Sequence, residues 1–426
     1  MDMKNTQRFS HPEIQLPSRN RNLRPMRFSN RPVQAFASRS SLLLLILFLQ
    51  ACQGQQTDTI TGTIQLSEDW KPVVYLLKPK NFSAIAGDYL STVVDSAMIQ
   101  ADGSFILPHP VESDTSMLYM LAIQKKGSKY ANHLDDEYPA QANYMPLVIS
   151  SNQPTNIRAT AANFQQSFSV ENLSAENEAL EELRNLRIDA HKQWVKELEN
   201  DTHEDEYIIL REEAYQRYTK VLRDFAANTS SFYAALVAIR WVSPTGDFER
   251  QAEFIHTQCK KWEGTQPDHP FTVELCALAE KESLPVMLGD IIPDFQLPMV
   301  NGDSVSLHAL LGSQLTILDI WASWCAPCRK ENREVLVPLY EAYKEKGLNI
   351  IGYALDSGEK PWKAAIEKDG AVWDHASHLQ GDQSPFMEAL RISTIPANYI
   401  LDSEGKILAK NLHGDELTNF VQERFD

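Results

Sequence analysis

This chain of 426 residues lacks an apolar stretch that could cross a bilayer. The run Leu42–Leu49 has eight apolar residues, where a spanning helix needs about 20. Cysteine is scarce, with five in all. Two of them stand close together, Cys325 and Cys328, and no second Cys/His pair has the spacing that would complete a structural zinc site. His375 and His378 come nearest and are expected to decorate a loop. Positive charge is also short: 40 Lys+Arg against 57 Asp+Glu give a net charge of −17. Eight Lys/Arg and only two Asp/Glu fall in residues 1–51, so the remainder is more acidic still. That balance argues against nucleic acid as a partner and names no substrate.

What is present is the run Trp324-Cys325-Ala326-Pro327-Cys328. It follows Leu315-Thr316-Ile317-Leu318-Asp319-Ile320, which reads as a buried strand, and opens a polar, helix-favouring segment, Arg329–Glu334. Two cysteines separated by two residues at a strand-to-helix junction have the geometry of a dithiol–disulfide catalyst. A sulfur at a helix N-terminus is favoured as thiolate, the nucleophilic form. Asn349–Ala354 reads as a second buried strand, completing a βαβ unit with Cys325 at the carboxyl end of a central strand.

From about Leu288 to Asp426 the chain resembles the thioredoxin superfamily, in its TlpA/ResA-like branch of membrane-tethered, extracytoplasmic thiol–disulfide oxidoreductases. Four pieces carry the resemblance: a leading strand at Gly289–Leu297, the run Trp321–Glu331, a cis-proline loop at Thr394-Ile395-Pro396, and a terminal hairpin at Asn398–Ile407 turning on Gly405. It implies that Cys325 attacks, that Cys328 resolves the mixed disulfide, and that Pro396 is a cis peptide beside the dithiol. Trp324, Ala326, Pro327 and Ile395 would contact the client, Ile395 through its backbone. Asp319, six residues before Cys325, matches the buried acid that serves the resolving cysteine. Glu331, three residues after Cys328, matches the acid that ResA-like proteins place beside the site, with a solvated helix-face charge as the alternative. Desolvation near a thiol should raise the pKa of such acids. Two departures stand out. Arg333 occupies the place of a common kink proline, which predicts a straighter helix, and Ala397 stands where threonine is common. No cofactor beyond the Cys325–Cys328 disulfide is implied. The partners would be exported protein thiols or disulfides and a membrane or periplasmic reductant. Cytochrome c maturation is one role in the family. Two other readings are a peroxiredoxin-like peroxidase and a non-catalytic binding or scaffold lipoprotein.

Upstream, Arg27, Arg31 and Arg39 precede Leu42–Leu49, and Leu49-Gln50-Ala51-Cys52 follows the pattern of a lipobox. Residues 1–51 therefore read as a signal peptide, with Met26 a candidate start, and Cys52 as the lipidated residue at the head of a 52–57 tether. The resulting address is the periplasmic side of the envelope, lipid-anchored, with the outer membrane favoured over the inner. In an exported chain disulfides persist. Cys259 and Cys276 lie on two expected helices, about Phe248–Trp262 and Phe271–Glu282, whose antiparallel pairing would bring them together. They form a structural disulfide or remain two buried free thiols.

The expected architecture is multidomain. Residues 58–170 read as all-β, with strands near Thr59–Leu66, Val73–Leu77, Ser91–Ile99 and Ser104–Leu107 and a hairpin across Asp102-Gly103. No metal cluster or phosphate loop is evident in them. They resemble the β-domain of unknown function often fused to TlpA-like lipoproteins. Residues 171–284 read as helical, with stripes Leu180/Leu183/Leu186 and Tyr215/Tyr218/Leu222/Phe225. Residues 285–426 are the α/β thioredoxin-like domain.

Overall fold

The computed structural model describes residues 59–425, except 109–115, 152, 197–203, 281–282 and the side chains of 204–209. The expected signal segment, Cys52 and the tether lie outside the described residues. Among the described residues no helix is long and apolar enough to cross a membrane.

Among the described residues eight strands come first: β1 (Thr59–Gln65), β2 (Trp70–Lys78), β3 (Thr92–Met98), β4 (Ser104–Pro108), β5 (Met117–Lys125), β6 (Tyr144–Ile149), β7 (Thr155–Thr160) and, after a one-turn helix α1 (Phe164–Ser167), β8 (Ser169–Glu171). They form two sheets, β4-β1-β7-β8 and β3-β2-β5-β6. The turn expected at Asp102-Gly103 forms, with Gly103 at φ 85° and the Gln100 N–H donating to Ser104 O at 2.8 Å. The strands it joins do not pair as a hairpin, however. β3 pairs with β2 and β4 with β1, so the turn carries the chain from one sheet to the other. Burial explains the divergence. Phe105 and Leu107 on β4 are buried in register with β1, whereas Val93 and Val94 on β3 stay exposed.

Among the described residues five helices follow: α2 (Ala175–Trp194), α3 (Glu204–Asn228), α4 (Phe232–Val242), α5 (Ala252–Glu263) and α6 (Pro270–Leu278). Ser174 and Ser231 cap α2 and α4 by accepting from Asn177 N–H and Ala234 N–H. The last two helices are shorter than expected. A 3₁₀ turn, Glu249–Gln251, precedes α5, and α6 closes where the Ala279 N–H is shared by the Leu275 and Cys276 carbonyls. The expected stripes also shift. Leu180, Leu183, Tyr218, Leu222 and Phe225 are buried, but Leu186 and Tyr215 sit at the surface edge, 36% and 38% exposed. Arg184 and Arg187 are buried instead. Arg187 pairs with Asp136 at 2.7 Å, donates to Tyr218 Oη at 3.1 Å and lies 4.2 Å from the Trp241 ring centre. Trp241 Nε1 in turn donates to Tyr144 Oη at 2.8 Å. Sheets and helices therefore share one hydrophobic core, running from Ile60 to Leu284, with this polar cluster inside it.

The C-terminal part is a thioredoxin-like α/β domain. A small hairpin, β9 (Gln296–Pro298) and β10 (Ser304–Ser306), precedes β11 (Leu315–Trp321), α7 (Ala326–Glu331), a π-helical turn (Asn332–Leu336) and α8 (Val337–Tyr343). Then come β12 (Leu348–Ala354), α9 (Glu359–Asp369), β13 (Asp374–Ala376), α10 (Pro385–Leu390), β14 (Ala397–Leu401), β15 (Ile407–Lys410) and α11 (Gly414–Phe425). The sheet order is β13-β12-β11-β14-β15, with β11 parallel to β12 and antiparallel to β14. Every residue of β11 is buried, and separate apolar clusters cover its two faces.

Three expectations change here. The leading strand is split: Gly289 and Ile292 donate to Ile407 O and Gly405 O, Pro293 has no N–H to continue, and pairing resumes only at Gln296. The helix after the dithiol is not a uniform α-helix despite Arg333, since a π turn interrupts it. Pro338 follows, with no N–H of its own to donate, and the Val337 N–H reaches back five residues to Asn332 O. His375 is no loop decoration; it lies on β13, 1% exposed.

Candidate active site

β11 delivers the chain to the site. Beyond Trp321 it leaves the sheet, and Cys325 becomes the N-cap of α7, where its sulfur accepts from the Cys328 N–H at 3.3 Å. The two sulfurs are joined in a disulfide with Cα atoms 5.4 Å apart. Both cysteines are buried, at 6% and 2% exposure, while Trp324 beside them is 62% exposed. Ala326 is exposed and Pro327, in the first turn of α7, is buried. Asp356 anchors the approach to Cys325 by accepting from the Ser323 N–H at 2.9 Å and from its hydroxyl.

The Ile395–Pro396 peptide is cis. Because Ile320 pairs with Ala397, Pro396 lies at the same end of the sheet as the start of the dithiol loop. Neither the N–H nor the C=O of Ile395 has a hydrogen-bond partner among the described residues.

Asp319 sits on β11, 3% exposed. Burial first, and the charge of Glu331 second, hold its carboxyl well above the ordinary range. Glu331 is not a solvated helix-face charge. It is 8% exposed and accepts from His413 Nδ1 at 2.9 and 3.1 Å and from the Gly414 N–H at 3.2 Å. With Glu331 as a carboxylate, which can only accept, His413 Nδ1 is the donor of this pair. His413 was not singled out from the sequence; it lies 82 residues away, ahead of the last helix, and only the fold brings it to Glu331.

Arg329 is the third support. It donates to Asp369 through Nε and, at 2.7 Å, through Nη2, and to Ser323 O at 3.1 Å. Arg333 adds a bond to Asp369 at 2.9 Å. Burial alone would raise the Asp369 carboxyl, but the two arginines outweigh it and hold it below the usual range. Arg329 thus ties α7 to α9, and Arg333, at the place of the missing kink proline, ties the π turn to it.

Cys259 and Cys276 are distant in function. Their sulfurs are joined across α5 and α6, with Cα atoms 4.9 Å apart. Chemically, the site combines a disulfide at a helix N-terminus, one buried acid with a raised pKa, a second acid held by a histidine, and a backbone edge free to pair.

Residues 288–410 match the AhpC/TSA family. The thiol–disulfide oxidoreductase ResA of Bacillus cereus is 28% identical over 144 residues, which is 33% of this chain and 77% of that protein. The thioredoxin-like protein YneN of Bacillus subtilis is 27% identical over 144 residues, or 34% and 81% of the two chains. The thioredoxin domain of a Bacteroides vulgatus thiol–disulfide oxidoreductase is 34% identical and covers 33% of this chain and 99% of its own, with a TM-score of 0.31. Residues 288–410 thus form a thioredoxin-like domain of the AhpC/TSA kind with ResA-like relatives, and the enzyme class of the chain is thiol–disulfide oxidoreductase.

Proposed function

We propose that Cys325 and Cys328 reduce or exchange disulfides in exported proteins, on the periplasmic side of the envelope, from a body tethered by lipid on Cys52. The observation that carries this reading is the Cys325–Cys328 disulfide, capping α7 at the sheet end where Pro396 also lies. In the reduced enzyme the Cys325 thiolate attacks one sulfur of a client disulfide. That S–S bond breaks, the client's other sulfur leaves as a thiol, and a mixed disulfide forms. Cys328 then loses its proton, with Asp319 and Glu331 as the nearby acceptors, and attacks the Cys325 sulfur. The client leaves fully reduced and the bond seen here remains. A membrane or periplasmic dithiol must return two electrons to reset it. Trp324, Ala326 and Pro327 border the attacking sulfur, and the Ile395 backbone pairs with the client. No other cofactor is needed for this cycle. The address rests on the signal pattern and lipobox, which favour the outer membrane, and clients in cytochrome c maturation would fit the family.

The test is trapping. In the full chain, Cys328→Ser should accumulate mixed disulfides with exported proteins, and adding Cys325→Ser should remove them. The reading fails if no client is trapped, protein disulfides are not reduced, and the thiols titrate like ordinary cysteine at roughly pKa 8.5. The AhpC/TSA match makes a peroxidase the second reading. It predicts peroxide consumption that survives Cys328→Ser, whereas a binding lipoprotein predicts no thiol chemistry at all.

A further inference from the structure

The helical layer reaches into the proposed client site. Buried Arg240 on α4 donates through Nε to Ile85 O, between β2 and β3, at 3.2 Å. Its other nitrogens hold Ser243 O at 3.1 Å and Pro244 O at 2.6 Å, fixing the start of the loop after α4. Gly246 at φ 81° turns that loop, and Asp247 accepts from the Glu249 N–H at 2.9 Å. The chain then presents two opposite charges to the loop before β14. The Glu249 carboxylate accepts from the Ser393 N–H at 2.9 Å, the Ser393 hydroxyl at 2.7 Å and the Thr394 N–H at 3.1 Å. Arg250 Nη2 donates to Pro396 O at 2.7 Å. Glu253, one turn on, accepts from the Leu288 N–H at 2.9 Å and pairs with Lys410 at 2.6 Å. α3 also packs against the dithiol helix α7.

The distribution of these bonds is selective. Positions 393, 394 and 396 are all held from the helical layer. Position 395, between them, is left with its N–H and C=O unpaired among the described residues. A contact that closed the site would be expected to use that edge. This one fixes its neighbours and leaves it open.

We infer that Glu249 and Arg250 are positioning residues that hold the cis-proline loop so that the Ile395 backbone is preset to pair with an extended protein client. The inference rests on the function proposed above. An edge fixed in advance spares the client the cost of ordering it, so the gain appears in client binding and not in the sulfur chemistry. A small disulfide that forms no backbone pairing draws no benefit.

The experiment uses the full chain and compares kcat/KM for a protein disulfide, insulin, with kcat/KM for a small aromatic disulfide. Glu249→Gln and Arg250→Leu should each lower the insulin-to-small-disulfide ratio about tenfold, mainly through KM. Arg250→Lys, which keeps a cation within reach of Pro396 O, should restore most of it. The midpoint potential of the Cys325–Cys328 pair should not move. Circular dichroism and the melting temperature of each variant identify any that fail to fold, and the two charges provide independent substitutions. A ratio that stays constant would overturn the inference and make the contact a domain dock only. A ratio that rises would also overturn it, showing that the contact shields the loop. A wild-type chain that reduces neither disulfide would instead overturn the function on which the inference rests.

Discussion

Asp319→Asn probes the site where its electrostatics are most one-sided. The carboxyl is 3% exposed, and burial together with the Glu331 charge raises its pKa well above the ordinary value. An acid whose folded pKa exceeds its unfolded one stabilises the fold fully below the unfolded value. That contribution is lost as pH rises toward the folded value. Each pH unit between the two values removes about 1.4 kcal/mol. Asparagine has no proton to lose, and its buried amide carries a cost of roughly 1–3 kcal/mol that does not vary with pH. The variant should therefore be no more stable than wild type near pH 4 and should have gained on it at pH 7. Guanidinium unfolding of the two oxidised proteins at both pH values, read as a difference, cancels the titrations they share. A difference that does not move with pH, or moves the other way, would refute the argument. With Asp319 gone as an acceptor and Glu331 left in place, release of client from the mixed disulfide should slow by up to about 10²-fold, the low end of the range for one general base.

Two further outcomes follow from the geometry. Replacing both Cys259 and Cys276 by alanine opens a loop with a sequence separation of 17 and should cost about 3 kcal/mol of stability in denaturant titration, leaving the dithiol's potential unchanged. His413→Ala leaves a nearly buried Glu331 with only the Gly414 N–H and should cost roughly 1–3 kcal/mol, whereas His413→Asn, which can still donate near the Nδ1 position, should recover part of the loss in the same assay.

The sequence was most legible where the chemistry is local. The cis peptide at Pro396 was implied by the resemblance alone, whereas Trp324–Cys328 and the strand before it are readable because their meaning depends on neighbours a few residues apart. Asp319 was legible for the same reason, as an acid inside an apolar run. What escaped depends on pairing across long separations. Arg187 could be buried only because Asp136, 51 residues away, neutralises it, so a stripe that reads as leucine and tyrosine rotates to include arginine. The Asp102-Gly103 turn was visible, but which sheet each strand would join depended on where Phe105 and Leu107 could find cover. Arg333 predicts a straighter helix, and the π turn around it carries no local signal beyond Pro338, which has no backbone donor. His413, Glu249 and Arg250 carry no local signal at all, being ordinary polar residues in loops and turns until the fold sets them against Glu331 and the loop at 393–396.

The single core running from Ile60 to Leu284 sets a rule for how such a chain can be recombined. A crossover within it would leave strands without their helices and open apolar surface to water. A crossover near residue 285 leaves every core intact, since the sheet behind the dithiol is covered by clusters of its own. The electron-transfer module can thus be inherited or exchanged as one piece. A newly acquired module would keep its disulfide, yet it would meet Glu249 and Arg250 shaped for another loop. Compatibility across that one seam, more than the integrity of either side, would decide which hybrids work.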